Sequence, residues 1–324
     1  PTTQEMIIQM HEKMETLSQN LPQKYIHGWR NIGSSGDYLN DTKNAKYCFI
    51  GFNLEDCKYC SFVTGKMTDT YDFINFGESS SLMYEVLQGG DQCQNLRMSQ
   101  FVITNCRNLE YCFFCIGCQD CFGCVGLKKK KYCIFNKQYT KEEYFELREK
   151  LIKHMNDLPY IDQQGLVYKY GEFFPAETSP FGYNETTAQE LFPLTREEAI
   201  SKGYVWRESG KRNYQTTIDA KDLPKIEEVS DDLTDQIIAC KHNGLCKDQC
   251  TSAYKLTSAE LEFYKRMNLP LPHLCPNCRH ARRLQYRNPM MLWNRSCMCE
   301  QGNHEHSEKC QNEFETSYSP ERKD

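Results

Sequence analysis

No cysteine lies between Phe135 and Ala239, although the 324-residue chain contains nineteen. An odd total excludes a complete disulfide framework. Eleven of the thiols fall between Cys48 and Cys133 and eight between Cys240 and Cys310. Cysteines used only as core filler would be scattered. Clustering at short spacings implies a local task, such as metal ligation, stapling or stacking within a repeat. The spacings differ between the two blocks, so the tasks differ too.

Other absences narrow the reading further. Net charge is −5, so there is no excess of basic residues, which excludes a wholly basic nucleic-acid coat and leaves room for a local basic face. No apolar run approaches the length that spans a bilayer. The first residues, PTTQEMIIQMHEKMETL, carry acids and no apolar core, which excludes a secretory signal. A reducing cytoplasm is therefore expected, with thiols free or on metal. Pro1 stands where an initiator methionine is missing, which implies either its removal or a longer parent chain. There is no H-E-x-x-H, no Walker loop and no G-x-S-x-G. No catalytic residue is assigned, and the reading inclines to a protein that is not an enzyme.

Residues 2–18 read as an amphipathic helix, with Thr2 and Glu5 as a capping box and Met6, Ile7, Met10, Met14 and Leu17 on one face, expected to pack on the next domain. Residues 35–137 show neither strand alternation nor a helical stripe, but they recur. Asn44-Ala-Lys-Tyr-Cys48, Asn53-Leu-Glu-Asp-Cys57 and Asn108-Leu-Glu-Tyr-Cys112 share a pattern. Cysteine spacings of 9 (Cys48 to Cys57, Cys112 to Cys121) and 12 (Cys121 to Cys133) suggest a coil of about 21 residues. Short apolar pieces between Asn, Asp and Gly corners predict a β-solenoid with thiols stacked inside. A helix over 141–155 is placed to cover an open end. Thr140 and Glu143 make its capping box, and Tyr144, Leu147, Leu151 and Met155 its stripe. The cysteine-free stretch predicts a small α/β or irregular connecting domain, with a short helix from Thr195 to Lys202 stopped at Gly203.

The second cysteine block carries the strongest chemical signal. Cys246-x3-Cys250 and Cys275-Pro-Asn-Cys278 flank a capped helix, Thr257 to Met267, and the rigid Leu269-Pro-Leu-Pro272. Two short-spaced pairs held apart this way let four thiolates meet at one tetrahedral Zn²⁺. Cys240 and His242 are close enough to compete for a position. A second, incomplete zinc site is suggested by Cys297, Cys299 and Cys310, with His304 or His306 as its fourth ligand. Between them, residues 279–295 hold five arginines and no acid. Arg279, Arg282, Arg283, Arg287 and Arg295, with Tyr286 and Trp293, suit phosphate contact and base stacking, so nucleic acid is the expected partner. The bland reading is a solvated arginine face pairing with the acidic segment 227–235. The unbroken x2 spacing of Cys112, Cys115, Cys118, Cys121 and Cys124 offers an iron–sulfur alternative, although bacterial ferredoxins break that spacing and follow it with Cys-Pro.

Several stretches resemble a family of cysteine-rich proteins of uncultivated small-genome (candidate-phyla) bacteria. They are Cys121-Phe-Gly-Cys-Val-Gly-Leu, Tyr132-Cys-Ile-Phe-Asn-Lys-Gln-Tyr-Thr-Lys-Glu-Glu-Tyr144, Ser179-Pro-Phe-Gly-Tyr-Asn-Glu-Thr186 and Phe192-Pro-Leu-Thr-Arg-Glu-Glu-Ala199. Glu260-Leu-Glu-Phe-Tyr264, Leu269-Pro-Leu-Pro, Cys275-Pro-Asn-Cys-Arg-His280 and Thr316-Ser-Tyr-Ser-Pro-Glu-Arg322 complete the set. The resemblance covers most of the chain and implies a C-terminal zinc-ribbon or treble-clef module. It also implies a further C-x2-C pair after the last motif, absent here, and a similar zinc module that can precede the cysteine-rich part.

The expected architecture is mainly β with α. A lead-in occupies 1–34, a cysteine-rich β-solenoid with its capping helix 35–157, a connecting domain 158–238 and a zinc module 239–324. The expected role is a non-enzymatic zinc-binding scaffold whose basic module contacts nucleic acid, with no membrane association. A protein-assembly scaffold and a redox or iron–sulfur protein built on Cys112–Cys124 are the alternatives.

Overall fold

The computed structural model describes residues 3–19, 21, 23–208, 210, 214–246, 249–297 and 310–321. They form two compact units: residues 24–206 with 289–321, and residues 3–23 with 207–288. Helix α1 (Gln4–Gln19) belongs to the second. The Met6 amide donates to Thr3 Oγ1 at 3.3 Å, and Thr2 of the expected capping box lies outside the described residues. The expectation that its apolar face is buried does not hold, because Met10, Met14 and Leu17 are more than half exposed.

The first unit is a β-solenoid of about eight turns. Its strands are β1 (Gly28–Trp29), β2 (Gly36–Asn40), β3 (Cys48–Phe52), β4 (Leu54–Val63), β5 (Met67–Phe76), β6 (Ser80–Gly90), β7 (Gln94–Ile103), β8 (Arg107–Glu110), β9 (Gln119–Phe122), β10 (Lys131–Ile134) and β11 (Lys137–Gln138). Each hydrogen-bonds to the next in chain order, parallel throughout until β11 turns back antiparallel on β10. Register fixes the coil length. Gly36 sits beside Cys48 and Cys121 beside Cys133, twelve residues on, whereas Met67 sits beside Ser80, thirteen on. The first coil is shorter still, with Gly28 beside Leu39, so the expected coil of about 21 residues is corrected to 11–13.

The repeat unit is three residues. Asp56, Tyr59 and Phe62 all have φ between 52° and 58°, and one coil on Asp69 and Asp72 have φ of 51° and 52°. Each left-handed residue is a corner, and the residue after it points inward: Leu54, Cys57, Cys60 and Val63 are at most 1% exposed. A non-glycine corner costs about 1–2 kcal/mol against the ordinary helical or strand conformation. The parallel ladder and the buried column offset that cost. Asn and Asp recur at one corner because they tolerate this region and bond to one another along the stack. Asn44 donates to Asp56 at 2.9 Å, Asn95 to Asn108 at 2.9 Å, and Asn108 to Asp120 at 2.8 Å.

Thiols, hydroxyls and aliphatics share the inward columns. Leu96, Leu109, Cys121 and Cys133 stack on successive coils, as do Cys60, Phe73, Val86 and Ser99. The expectation that the cysteines from Cys48 to Cys133 point inward is met, since all of them are buried. A small polar inward residue bonds the carbonyl two residues before it. Cys57 reaches Glu55 O at 3.3 Å and Cys112 reaches Glu110 O at 3.4 Å, as Thr70 does Thr68 O at 2.9 Å and Ser99 does Arg97 O at 2.7 Å. The same atoms accept from the next coil: Cys112 N donates to Ser99 Oγ at 3.0 Å and Cys118 N to Cys106 Sγ at 3.4 Å.

Helix α2 (Lys141–Asp157) follows β11 with the expected Thr140–Glu143 capping box. Its face (Tyr144, Leu147, Leu151 and Met155) covers the last coil at Phe122 and Ile134. Arg148 grips the buried Glu110 carboxylate with two bonds of 2.6 and 2.7 Å, and Tyr170 adds a third at 2.6 Å. Beyond it lie a hairpin of β12 (Tyr160–Ile161) and β13 (Val167–Tyr168), helix α3 (Thr187–Leu191) and helix α4 (Arg196–Ser201). Helix α4 is capped by Thr195 and ends at Gly203, where φ is 80°.

In the second unit, β14 (Ile218–Asp219), β15 (Ile238–Ala239) and β16 (Ala253–Tyr254) form a small sheet beside α5 (Ser258–Met267) and α6 (Pro276–Leu284). Their core joins Ile226, Leu233, Ile238, Leu256, Leu261 and Leu271 to the buried cysteines. The chain then returns to the solenoid unit as an antiparallel pair, β17 (Trp293–Ser296) and β18 (Glu313–Thr316). This pair covers the first coils. Ser317 donates to Asp37 of β2, and the Tyr25 and Phe314 rings stand 5.1 Å apart. The solenoid is thus closed at both ends, by α2 and by a segment whose sequence suggests membership of the zinc module.

Candidate metal centre

The hairpin that joins β15 to β16 and the first turn of α6 build the centre. Cys240 leaves β15, and a tight turn follows in which Asn243 and Gly244 adopt φ of 44° and 76°. Cys250 lies three residues before β16, and the Cys240 amide closes the hairpin on Ser252 O at 2.8 Å. Cys275 is the N-cap of α6, and Pro276 at its first helical position carries a φ already suited to a helix. One turn later Cys278 faces the same way. The helix start was not anticipated from the sequence, although Pro directly after Cys275 is its signal.

Four thiols meet here. The Sγ atoms of Cys240, Cys250, Cys275 and Cys278 all lie within 4.8 Å of one another, and three of these cysteines are buried. Cys275 is 3.5 Å from Cys278 and 3.9 Å from Cys250, and Cys240 is 4.0 Å from Cys278. Backbone amides already point at two of the sulfurs: Cys275 N donates to Cys240 Sγ at 3.2 Å and Ser252 N to Cys250 Sγ at 3.4 Å. Such donors favour the thiolate form. Burial opposes ionisation of Cys275, but hydrogen bonds from Thr251 and Cys278 outweigh it and bring the thiol down to about 6. Burial pushes Cys240 up to about 11.

Cys246 is placed beside this tetrad. Its Sγ is 3.5 Å from Cys278 Sγ, and it forms a second group with His242 and Cys278, again within 4.8 Å. The structure thus brings three of the four predicted first-site cysteines, Cys250, Cys275 and Cys278, into the tight set, where Cys240 takes the corner expected for Cys246, and Cys246 stands beside Cys278 in the second group. Among the described residues, these are the two groupings that could hold a metal ion.

The second predicted site is not gathered in the same way. Cys297 follows β17 and bonds Asn312 O at 2.8 Å, and buried Cys310 precedes β18, both in the solenoid unit. Cys299, His304 and His306 lie outside the described residues. The run Cys112–Cys124 is distributed around the solenoid interior, one thiol per three-residue wall.

Among the predicted basic residues, Arg279 is turned inward to α5. It pairs with Glu260 at 2.7 Å and with Tyr264 Oη at 2.9 Å. The acidic segment meets a lysine of α5 instead, Lys265 with Asp231 at 2.7 Å. Arg283 and Tyr286 are exposed, Arg282 and Arg287 half-buried. Trp293 and Arg295 lie on β17 in the solenoid unit, where Arg295 donates to Ser319 O at 3.3 Å.

No protein-family model matches the chain, and no curated protein matches it.

Proposed function

We propose that this protein is a non-enzymatic scaffold in which one Zn²⁺, held by Cys240, Cys250, Cys275 and Cys278, ties the β15–β16 hairpin to α6 in a treble-clef-like module. The observation that carries the reading is the spacing of the thiols. Zinc–sulfur bonds of about 2.3 Å in a tetrahedron put neighbouring sulfurs about 3.8 Å apart; three of the six separations in the tetrad run from 3.5 to 4.0 Å, and all six are within 4.8 Å. The closed all-cysteine donor set is that of a structural site. Zinc supplies folding free energy to a unit whose elements are short, and no reaction is assigned to it.

On this scaffold, the basic face of α6 contacts nucleic acid. Arg282, Arg283, Arg287 and Tyr286 are the residues for the task; Arg279 is a strut between α5 and α6. Metal analysis of protein purified without oxygen tests the zinc, with at least one equivalent per chain expected. Replacing Arg282, Arg283 and Arg287 by alanine should abolish oligonucleotide binding at unchanged zinc content. Removing each arginine–phosphate pair should flatten the slope of log affinity against log salt by about 0.9 on duplex DNA. Wild-type protein that ignores oligonucleotides at low salt rejects the nucleic-acid part.

A second reading, assembly with other proteins, is supported by the solenoid wall. Tyr47, Tyr59, Tyr71 and Tyr84 are 41–47% exposed on successive coils. Removing those rings should release a bound protein partner, and a partner retained in full would reject the tyrosine wall as the docking surface.

A further inference from the structure

Cys278 is shared by two ligand groups, and that sharing goes beyond a single structural ion. The tetrad uses Cys278 as its fourth corner; the second group uses the same sulfur with Cys246 and His242. Cys246 Sγ stands 3.5 Å from Cys278 Sγ, the same separation as Cys275 from Cys278 inside the tetrad. His242 Nδ1 is buried and has no hydrogen-bond partner. A buried imidazole nitrogen left unpaired costs free energy unless something accepts its lone pair or its proton, and the nearest candidate chemistry is a metal ion between it and two thiols.

We infer that His242, Cys246 and Cys278 form a second position for a zinc-class divalent cation, bridged to the first through the Cys278 sulfur. The inference rests on the proposed zinc tetrad. Four thiolates around one dication leave the centre with net negative charge, which a second dication offsets. A sulfur can bridge two ions with bonds of about 2.3 Å to each, placing them within about 4 Å, the spacing of known two-metal sites. Binding releases the Cys246 proton to solvent, and the imidazole coordinates through Nδ1 with its proton on Nε2. The donor set is two sulfurs and one nitrogen. That leaves the fourth corner to water, so this ion is the exchangeable one and the tetrad ion the permanent one.

The test uses the full chain, purified without oxygen and loaded with zinc alone or cadmium alone. Zinc is counted in wild type, His242→Ala and Cys246→Ser, with Cys297→Ser to separate any ion near β17. His242→Ala and Cys246→Ser should each lose one zinc equivalent while hydrogen exchange in β15, β16 and α6 stays protected. Cadmium NMR of wild type should show two resonances split by coupling through the shared sulfur, and the splitting should vanish in Cys246→Ser. Full zinc retention in either variant, or uncoupled cadmium resonances, overturns the bridged position and leaves the tetrad standing. Wild-type protein without any zinc overturns both.

Discussion

Ser317 donates its hydroxyl to the carboxylate of Asp37, 280 residues earlier in the chain, and both side chains are buried. Asp37 also accepts from the His27 amide at 2.7 Å, the Tyr38 amide at 2.9 Å and His27 Nδ1 at 3.1 Å. The carboxylate is thus the knot that holds the β17–β18 cover on the first coil. Ser317→Ala should cost about 1 kcal/mol, one hydrogen bond, whereas Asp37→Ala should cost about 3 kcal/mol because several donors lose their acceptor together. Denaturant unfolding of the two variants measures the ratio; equal costs would mean that the cover is held elsewhere.

At the other end, Arg148 is expected to matter more than its partial exposure suggests. Its removal takes two of the three close hydrogen bonds from the Glu110 carboxylate, only 7% exposed, and leaves Tyr170 and the more distant Arg97 as its partners. Arg148→Ala should cost about 3–5 kcal/mol, while the double replacement Glu110→Gln with Arg148→Met should recover most of it. Thermal unfolding of the single and double variants decides the point.

The inward thiols should behave as hydrogen-bonding spacers. Cys112→Ser keeps a donor for Glu110 O and should stay within about 1 kcal/mol of wild type. Cys112→Leu overfills a column in contact with Cys115 and Cys124 and should cost about 1–3 kcal/mol. A thiol reagent added to native, metal-loaded protein should leave the solenoid cysteines unmodified until the coils unfold. Fast labelling of Cys118 or Cys121 in the native state would contradict their full burial.

Chelation or Cys275→Ser should unfold β15, β16 and α6 and spare the solenoid, because no solenoid residue belongs to the thiol tetrad. Hydrogen exchange read segment by segment would show it. Uniform loss of protection across β4–β7 would sink this expectation.

Stability should also respond to acid at Glu85. Burial, then Glu172 and Asp72, push its carboxyl above the ordinary range, and one of its oxygens has no partner. The folded state therefore holds this proton more tightly than the unfolded chain does. This carboxyl's unfavourable contribution is relieved as pH falls through its folded value and is present in full above it. Glu85→Gln should stabilise the protein near neutral pH and remove that part of the pH dependence. A stability profile identical to wild type would exclude the effect.

The helices and their caps were legible in the sequence because a capping box is a local signal: Thr140 with Glu143 and Thr195 with Glu198 stand as expected. The solenoid was legible as a repeat, but its coil length was not. The 9-residue spacing of Cys48 and Cys57 spans three walls of one coil, since each follows a left-handed corner, Tyr47 and Asp56, while 12 residues from Cys121 to Cys133 is a whole coil. Adding the two counted nearly two coils as one. Periods of 2 and 3.6 miss a wall of three residues, so no strand pattern was visible in residues that form ten-residue strands such as Leu54–Val63. At the metal centre, the pairs announced four ligands, but the hairpin that brings Cys240 in beside Cys250 is a matter of strand pairing. Arg279 looked like a free cation only because Glu260, nineteen residues away, meets it through the packing of α5 on α6.

A wall of three residues also governs how this chain can change length. Deleting one coil's worth of sequence, twelve residues in the region of β9 and β10, leaves every later side chain in its column and shortens the stack by one rung. Deleting a single residue inside a wall turns corners inward and thiols outward for the rest of that coil, unless a corner absorbs the slip. Coils of twelve and thirteen stand side by side here, and the longer ones place paired left-handed residues such as Asp91 and Gln92 at one corner. That corner is where insertions have room to accumulate, and the remaining corners are where the length of the chain is held fixed.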